Sequence, residues 1–325
     1  MPRLAFLFRT DTHVADRSPV SWKGDYPSEI WSNLEQIGGI AKAHDVNAVL
    51  DGGDYFHIKS ASKNPHALVE KTARIHAKYH CPTLCIEGNH DMSSNNLETL
   101  SKQPLGVLYA TGVFGHLREE VFKDGALQVR VVGVPYSPDR TLEDLLRVQK
   151  KPGDTHLIMV VHALAGLNPP PHVEDFFNEP VFRYEALVRR NGPDAVCFGH
   201  WHRDQGVEEI EGRYFVNQGA TSRGALVREN LERTPKVSII EIDDGVVKVT
   251  QVPLSVAPAS DVFDLERKAV QEREHKDIDQ FVAKLMADVE FDPSESAEEG
   301  IRRLDFATEV RDAALEYYER AGDVG

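Results

Sequence analysis

Asn89-His90-Asp91 puts an amide, an imidazole and a carboxylate directly after Gly88, where the apolar run Pro82-Thr83-Leu84-Cys85-Ile86 gives out. A glycine followed by three groups able to bind or polarise a ligand, at the end of a strand, is how an α/β fold presents chemistry. Four more clusters close apolar runs of their own: Asp11-Thr12-His13, Gly53-Asp54, His162, and Gly199-His200-Trp201-His202. The Asn89 cluster alone is a moderate signal, since Asn, His and Asp also populate ordinary turns; Asp11-Thr12-His13 alone reads as a turn Asp beside an exposed His, whereas two histidines at i and i+2 after Gly199 are a sharper signal than a lone His. Five strand ends pointing Asp11, His13, Asp54, Asn89, His162, His200 and His202 at one place read differently. One catalytic zinc takes three protein ligands plus water; seven ligands with one bridging carboxylate suit two ions roughly 3.5–4 Å apart. A nitrogen and oxygen set without cysteine accommodates Mn²⁺, Fe²⁺, Zn²⁺ or Mg²⁺; Mn²⁺ is the expected ion, although the residues alone do not choose. Two such ions would activate a water for in-line attack on phosphorus. His90, beside Asn89, is placed to stabilise or protonate the departing oxygen, with Asp91 fixing its orientation. The reaction class is metal-assisted hydrolysis of a phosphate ester.

These clusters need strands to carry them and helices to return the chain. Leu4 to Phe8 forms a short strand ending at Asp11 and His13, which share a face if the backbone stays extended. Ser28 to Ala43 reads as a helix, with Ile30, Leu34, Ile37 and Ile40 at helical spacing. Asn47 to Leu50 is the next strand, after which Gly52-Gly53 lets the chain turn and present Asp54. A helix from about Pro65 to Lys78 leads to the strand before Gly88. Further strands are expected at Gln128 to Val134, at His156 to Val161 before His162, and at Asp194 to Phe198 before Gly199; a helix is expected near Leu142 to Gln149. This alternation predicts an α/β sheet flanked by helices, with short segments to about Leu254 adding an antiparallel portion. Trp22, in the loop before the first helix, is expected either to stack on a ligand or to pack against the domain.

The 325 residues, 41% hydrophobic, suffice for one large domain and a small appendage. No apolar stretch is long enough to span a bilayer, and Arg3 to Phe8 reads as a first strand instead of a signal peptide. Cys81, Cys85 and Cys197 lie in or beside apolar runs, as buried thiols in a reducing compartment would; a cytoplasmic location, in a bacterial or phage-infected cell, is expected. The net charge of −15 argues against a nucleic-acid partner, yet residues 258–325 carry nine Lys or Arg against 19 Asp or Glu, so most of the acidity lies outside the catalytic part. Bound divalent ions would offset more of it. Ile278, Phe281, Val282, Leu285, Met286 and Val289, then Ile301, Leu304, Ala307, Val310, Ala314 and Tyr317, recur at three and four residues on either side of Asp292-Pro293-Ser294. They predict a helix, a turn and a helix, each with one apolar stripe that either folds back on its own domain or docks another chain. The expected domains are therefore 1–257 and 258–325.

In their order, Asp11-x-His13, Gly53-Asp54, Gly88-Asn89-His90-Asp91, His162 and Gly199-His200-x-His202 resemble the five motifs of the calcineurin-like metallophosphoesterases. The resemblance implies a four-layer α/β/β/α sandwich, here with a C-terminal helical pair. It also implies one ion on Asp11, His13, Asp54 and His202, another on Asp54, Asn89, His162 and His200, and His90 as the catalytic histidine. A narrower similarity, carried by Gly53-Asp54-Tyr55-Phe56-His57 and by Ile86-Glu87-Gly88-Asn89-His90-Asp91, is to SbcD-type DNA repair exonuclease subunits. It implies that His57 helps place a DNA strand, and that an SbcC-type coiled-coil ATPase binds helices such as those of residues 261–320; a homodimer is compatible. SbcD-type chains carry a DNA-capping domain after the catalytic part, and this chain has few residues there. Arg17, Lys23, Lys59, Lys63, Arg203 and Arg223 are the exposed loop cations expected near the motifs, where they could contact phosphates. Two rivals remain: a phosphodiesterase or phosphatase acting on small substrates, and a noncatalytic scaffold.

Overall fold

The computed structural model describes residues 2–266, apart from residues 20 and 171. The run Arg3–Arg9 forms β1, buried at six of its seven positions, the mark of a strand covered on both faces. Helix α1 spans Tyr26–Ala43. It begins two residues before the expected Ser28, because Asp25 caps it by accepting from the Ser28 amide at 3.2 Å and Pro27 fits the first turn. Its buried face, Ile30, Trp31, Leu34 and Ile37, packs against the sheet. The chain then alternates through β2 (Ala48–Asp51), α2 (His66–His76), β3 (Thr83–Cys85), α3 (Pro104–Ala110) and β4 (Gly115–His116). Strands β1 to β4 pair in parallel.

A second sheet follows. Its strands are β5 (Glu119–Asp124), β6 (Leu127–Val134), β7 (His156–His162), β10 (Ala195–Gly199), β11 (Gly206–Ile210) and β12 (Arg213–Asn217). Between them lie α4 (Leu142–Leu146), a two-stranded ribbon of β8 (Ala165–Gly166) and β9 (Phe182–Arg183), and α5 (His172–Phe177). Helix α4 stops short of the expected Gln149. After α6 (Arg228–Glu232), the chain returns to the first sheet: β13 (Lys236–Asp243) pairs antiparallel with β1, and β14 (Val246–Pro253) with β13. The orders are β14-β13-β1-β2-β3-β4 and β11-β12-β10-β7-β6-β5.

Phe6, Phe8, Leu50, Ile86, Val131, Ile158, Val160 and Cys197 fill the space between the sheets. α1, α2 and α3 cover the outer face of the first sheet, and α4 packs with the outer face of the second. The described residues thus form the expected α/β/β/α sandwich. Because β1, β2, β3, β7 and β10 all run in parallel arrays, their carboxyl ends gather the chemistry along one edge.

Contacts group Met1–Asp264 as one compact unit. It runs past residue 257 because the short α7 (Ala259–Val262) brings Phe263 into the core, where its ring meets Trp22 at 5.4 Å. Trp22 also donates to the Arg223 carbonyl at 3.0 Å, so of its two expected roles the structure displays packing. The expected helix pair lies outside the described residues. Among the described residues no helix is long and apolar enough to cross a membrane, and all three cysteines are free thiols.

Candidate metal centre

Asp11 and His13 follow β1, Asp54 follows β2, Asn89 and His90 follow β3, His162 ends β7, and His200 and His202 follow β10. Four of them, Asp11 (φ 50), His13 (φ 49), Asp54 (φ 53) and His200 (φ 90), adopt positive φ. That costs on the order of 1–2 kcal/mol per residue, and such strain concentrates where side chains must be aimed. The extended backbone expected through Asp11 and His13 is therefore corrected: two left-handed turns bring both side chains over the sheet edge. Hydrogen bonds from Asp11 N to Gly53 O and from His13 N to Asp54 O, each 3.0 Å, hold the turns. Gly88 is required by close approach, since a Cβ there would collide with the Asp54 carboxylate.

The structure brings all seven candidate ligands together. Asp11, His13, Asp54 and His202 form one cluster, and Asp54, His162 and His200 a second, the ligand atoms of each lying within 4.8 Å of one another. Asp54 belongs to both. Its Oδ2 is 3.5 Å from His162 Nε2 and 3.8 Å from His13 Nε2, and His202 Nε2 is 3.4 Å from Asp11 Oδ1. The Asn89 carboxamide lies 3.3 Å from His162 Nε2, with the same atom facing His200 Nδ1 at 3.1 Å and Asp54 Oδ2 at 3.2 Å. An inward oxygen there is a ligand; an inward nitrogen is a donor in ion-free protein. Burial opposes the charge on Asp11, but the hydrogen bond and charge of His202 bring its carboxyl down to about 2. Burial and His202 hold His13 well below the usual imidazole range. Burial likewise disfavours charge on His162, yet Asp54 raises it to about 9, so without an ion a proton neutralises part of the anionic centre. Buried carboxylates beside imidazole lone pairs fit divalent cations that displace such protons.

The family model for calcineurin-like phosphoesterases matches residues 4–204. This chain belongs to the calcineurin-like phosphoesterase family. Solved structures resemble it too. The sulfate thiohydrolase SoxB of Thermus thermophilus, in complex with glycerol, matches with 12% identity and TM-score 0.45 over 77% of this chain and 56% of that one. TT1561, also of Thermus thermophilus, matches with 14% identity and TM-score 0.45 over 78% and 99%. Calcineurin-like phosphoesterases are metallophosphoesterase-type hydrolases that bind two divalent ions, and the two clusters sharing Asp54 could hold them.

Within this calcineurin-like phosphoesterase, His90 and His57 stand at the cluster's edge with rings 5.5 Å apart and nearly parallel, at 17°. His57 Nδ1 is 3.4 Å from His13 Nδ1. The expected partnership of Asp91 with His90 is corrected. His90 Nδ1 meets the His57 carbonyl at 2.6 Å. Asp91, buried, instead accepts from the Gly88, Tyr55 and Phe56 amides at 3.0–3.2 Å, tying the loop after β3 to the loop after β2. Of the expected cations, Arg17 and Arg203 line cavities at the site, and Lys59 Nζ lies 3.3 Å from the Asn89 carboxamide. Lys23 and Lys63 line neither cavity. Arg223 is buried against Glu29 at 2.9 Å, so its expected place among exposed cations is corrected.

Two cavities flank the clusters. One, of about 550 Å³, is walled by His13, Arg17, Tyr26 and His57; the other, of about 640 Å³, by Asp54, Asn89, Phe176, Phe177, Glu179 and His200. His90, His202, Ala225 and Asn230 border both. Sequence reasoning missed Glu179, whose Oε2 lies 2.9 Å from His200 Nε2, because the loop around it carries no local pattern. It also missed the fully buried Arg9–Asp51 pair at 2.7 Å, whose only trace is charge inside apolar runs.

Proposed function

We propose that this phosphoesterase hydrolyses DNA phosphodiester bonds as an exonuclease subunit of the SbcD type, with two divalent ions of which Mn²⁺ is the first choice. The observation that carries this reading is the pair of cavities meeting at His90 and His202: a substrate chain centred there can leave on both sides, as a diester within a polymer must. Asp11, His13, Asp54 and His202 would hold one ion, and Asp54, Asn89, His162 and His200 the other. When bound, the ions supply charge neutralisation at phosphorus and a more acidic water. The His57 carbonyl orients His90 through Nδ1, which leaves Nε2 as the atom that passes a proton to the departing oxygen. The His57 ring, beside His90 and His13, steadies the strand. Asp91 acts through the backbone, keeping the two strand-end loops in register. The apolar recurrences of residues 261–320 support docking of an SbcC-type coiled-coil ATPase there.

One observation favours the reading as a phosphodiesterase or phosphatase of small substrates: among the described residues, the cavity on the His200 side carries Glu179 and Glu229 against the single basic side chain of Arg203. End-labelled linear DNA and bis-p-nitrophenyl phosphate, each incubated with Mn²⁺ and either wild type or His57→Ala, separate the two. The nuclease reading expects wild type to shorten DNA, and His57→Ala to lose DNA cleavage while keeping the small ester. Equal ester hydrolysis by both proteins, with DNA untouched even after the ATPase is added, supports the small-substrate reading.

A further inference from the structure

The histidines of the two clusters are not held alike. In the second cluster each imidazole has its outer nitrogen engaged. His162 Nδ1 meets Gly52 O at 2.7 Å, and His200 Nε2 meets Glu179 Oε2 at 2.9 Å. The inner nitrogens, His162 Nε2 and His200 Nδ1, are the ones that face Asp54 and the Asn89 carboxamide. Glu179 is itself pinned, since the Tyr136 hydroxyl donates to its Oε1 at 2.7 Å. Tyr136 is buried, its ring 5.3 Å from that of His200 and 6.0 Å from that of His162. Its amide donates to Glu87 O at 2.8 Å, just before the Gly88-Asn89 turn. In the first cluster His202 is 49% exposed. Among the described residues neither His13 nor His202 has a ring nitrogen bonded to a carbonyl, or to a carboxylate other than those of the cluster itself.

A metal-bound imidazole whose second nitrogen donates to a carboxylate is fixed in tautomer and orientation and is the stronger ligand. We infer that Glu179, clamped by Tyr136, is a positioning residue for His200, and that it makes the Asp54–Asn89–His162–His200 site the tighter of the two. The Asp11–His13–Asp54–His202 site then holds the exchangeable ion. This rests on the reading that the clusters bind two ions and not on what the enzyme cleaves.

The test is Mn²⁺ binding to the full chain, followed by calorimetry and by the electron paramagnetic resonance of free and bound Mn²⁺, for wild type, Glu179→Ala, Glu179→Gln, Tyr136→Phe and Asp11→Asn. Wild type is expected to bind two ions with separable affinities and Asp11→Asn to keep the tighter one. Glu179→Ala is expected to weaken the tighter ion roughly ten- to hundredfold, Glu179→Gln and Tyr136→Phe less, with the melting temperature of ion-free protein unchanged. The inference is overturned if Glu179→Ala binds both ions as wild type does, or if Asp11→Asn loses the tighter ion. Failure of wild type to bind two ions would sink the two-ion reading itself, and the inference with it.

Discussion

Strand β7 begins at His156 and ends at His162, and each end lies near a buried arginine bonded to an aspartate. At the carboxyl edge Arg9 Nε meets Asp51 Oδ2 at 2.7 Å with both side chains wholly buried, and Asp51 Oδ1 accepts from the Gly53 amide at 3.0 Å. At the amino edge Arg130 grips Asp154 with two bonds of 2.7 and 2.9 Å and also meets Glu119, which is 40% exposed. The ion-pair chemistry is the same, but the two edges use it differently. The first pair braces the loop that carries Asp54 against β1, which leads into Asp11; the second closes the end of a sheet. Charge buried next to the reaction site is thus part of the positioning apparatus, whereas the charge that closes the far edge only tightens the fold.

Asp51→Ala sharpens that contrast most. It leaves the Arg9 guanidinium buried without its counter-charge, which costs about 3–5 kcal/mol, and frees the Gly53 turn. Denaturant unfolding should show that loss, and phosphoester hydrolysis should fall roughly tenfold or more. The double variant Arg9→Met/Asp51→Leu is the more discriminating test. Replacing a whole buried pair by apolar groups of similar size is often neutral, so most of the stability should return while activity stays low, because no acceptor remains for the Gly53 amide. Full recovery of activity would show that the pair matters only to the fold.

The same contrast sets what the sequence could disclose. Asp11, His13, Asp54, Asn89, His90, His200 and His202 are legible because they sit in short polar clusters closing apolar runs, and His162 and His57 because each stands at a fixed place after such a run or motif, patterns confined to a few neighbouring residues. The sandwich was legible for a related reason: helical spacing in α1 and doubly buried runs in β1, β7 and β10 dictate layers without reference to distant partners. What failed was long-range. Arg9 and Asp51 are 42 residues apart, and His200 and Glu179 are 21 apart; only the fold brings them together. Asp91 departs from its expected partner His90 for the same reason, since it accepts instead from the Tyr55 and Phe56 amides of another loop. Trp22 waited on Phe263.

Asp154→Asn gives the smallest effect and the clearest pH signature. Burial alone would raise this carboxyl, but the hydrogen bonds from Arg130 and from the Lys151 amide bring it down to about 2, against about 3.9 in an unfolded chain. A carboxyl depressed by folding stabilises the protein above its unfolded value and loses that contribution as pH falls toward the folded one. Wild type should therefore exceed Asp154→Asn by about 1–2 kcal/mol near neutrality, with the gap closing between about pH 4 and pH 2. Ester hydrolysis at neutral pH should be unchanged, because Asp154 lies at the end of β7 opposite His162. A stability gap that held constant down to pH 2 would mean that the lost contacts, not the charge, carry the difference. A loss of activity would mean that the amino edge communicates with the site through β7, and the distinction between the two edges would fail.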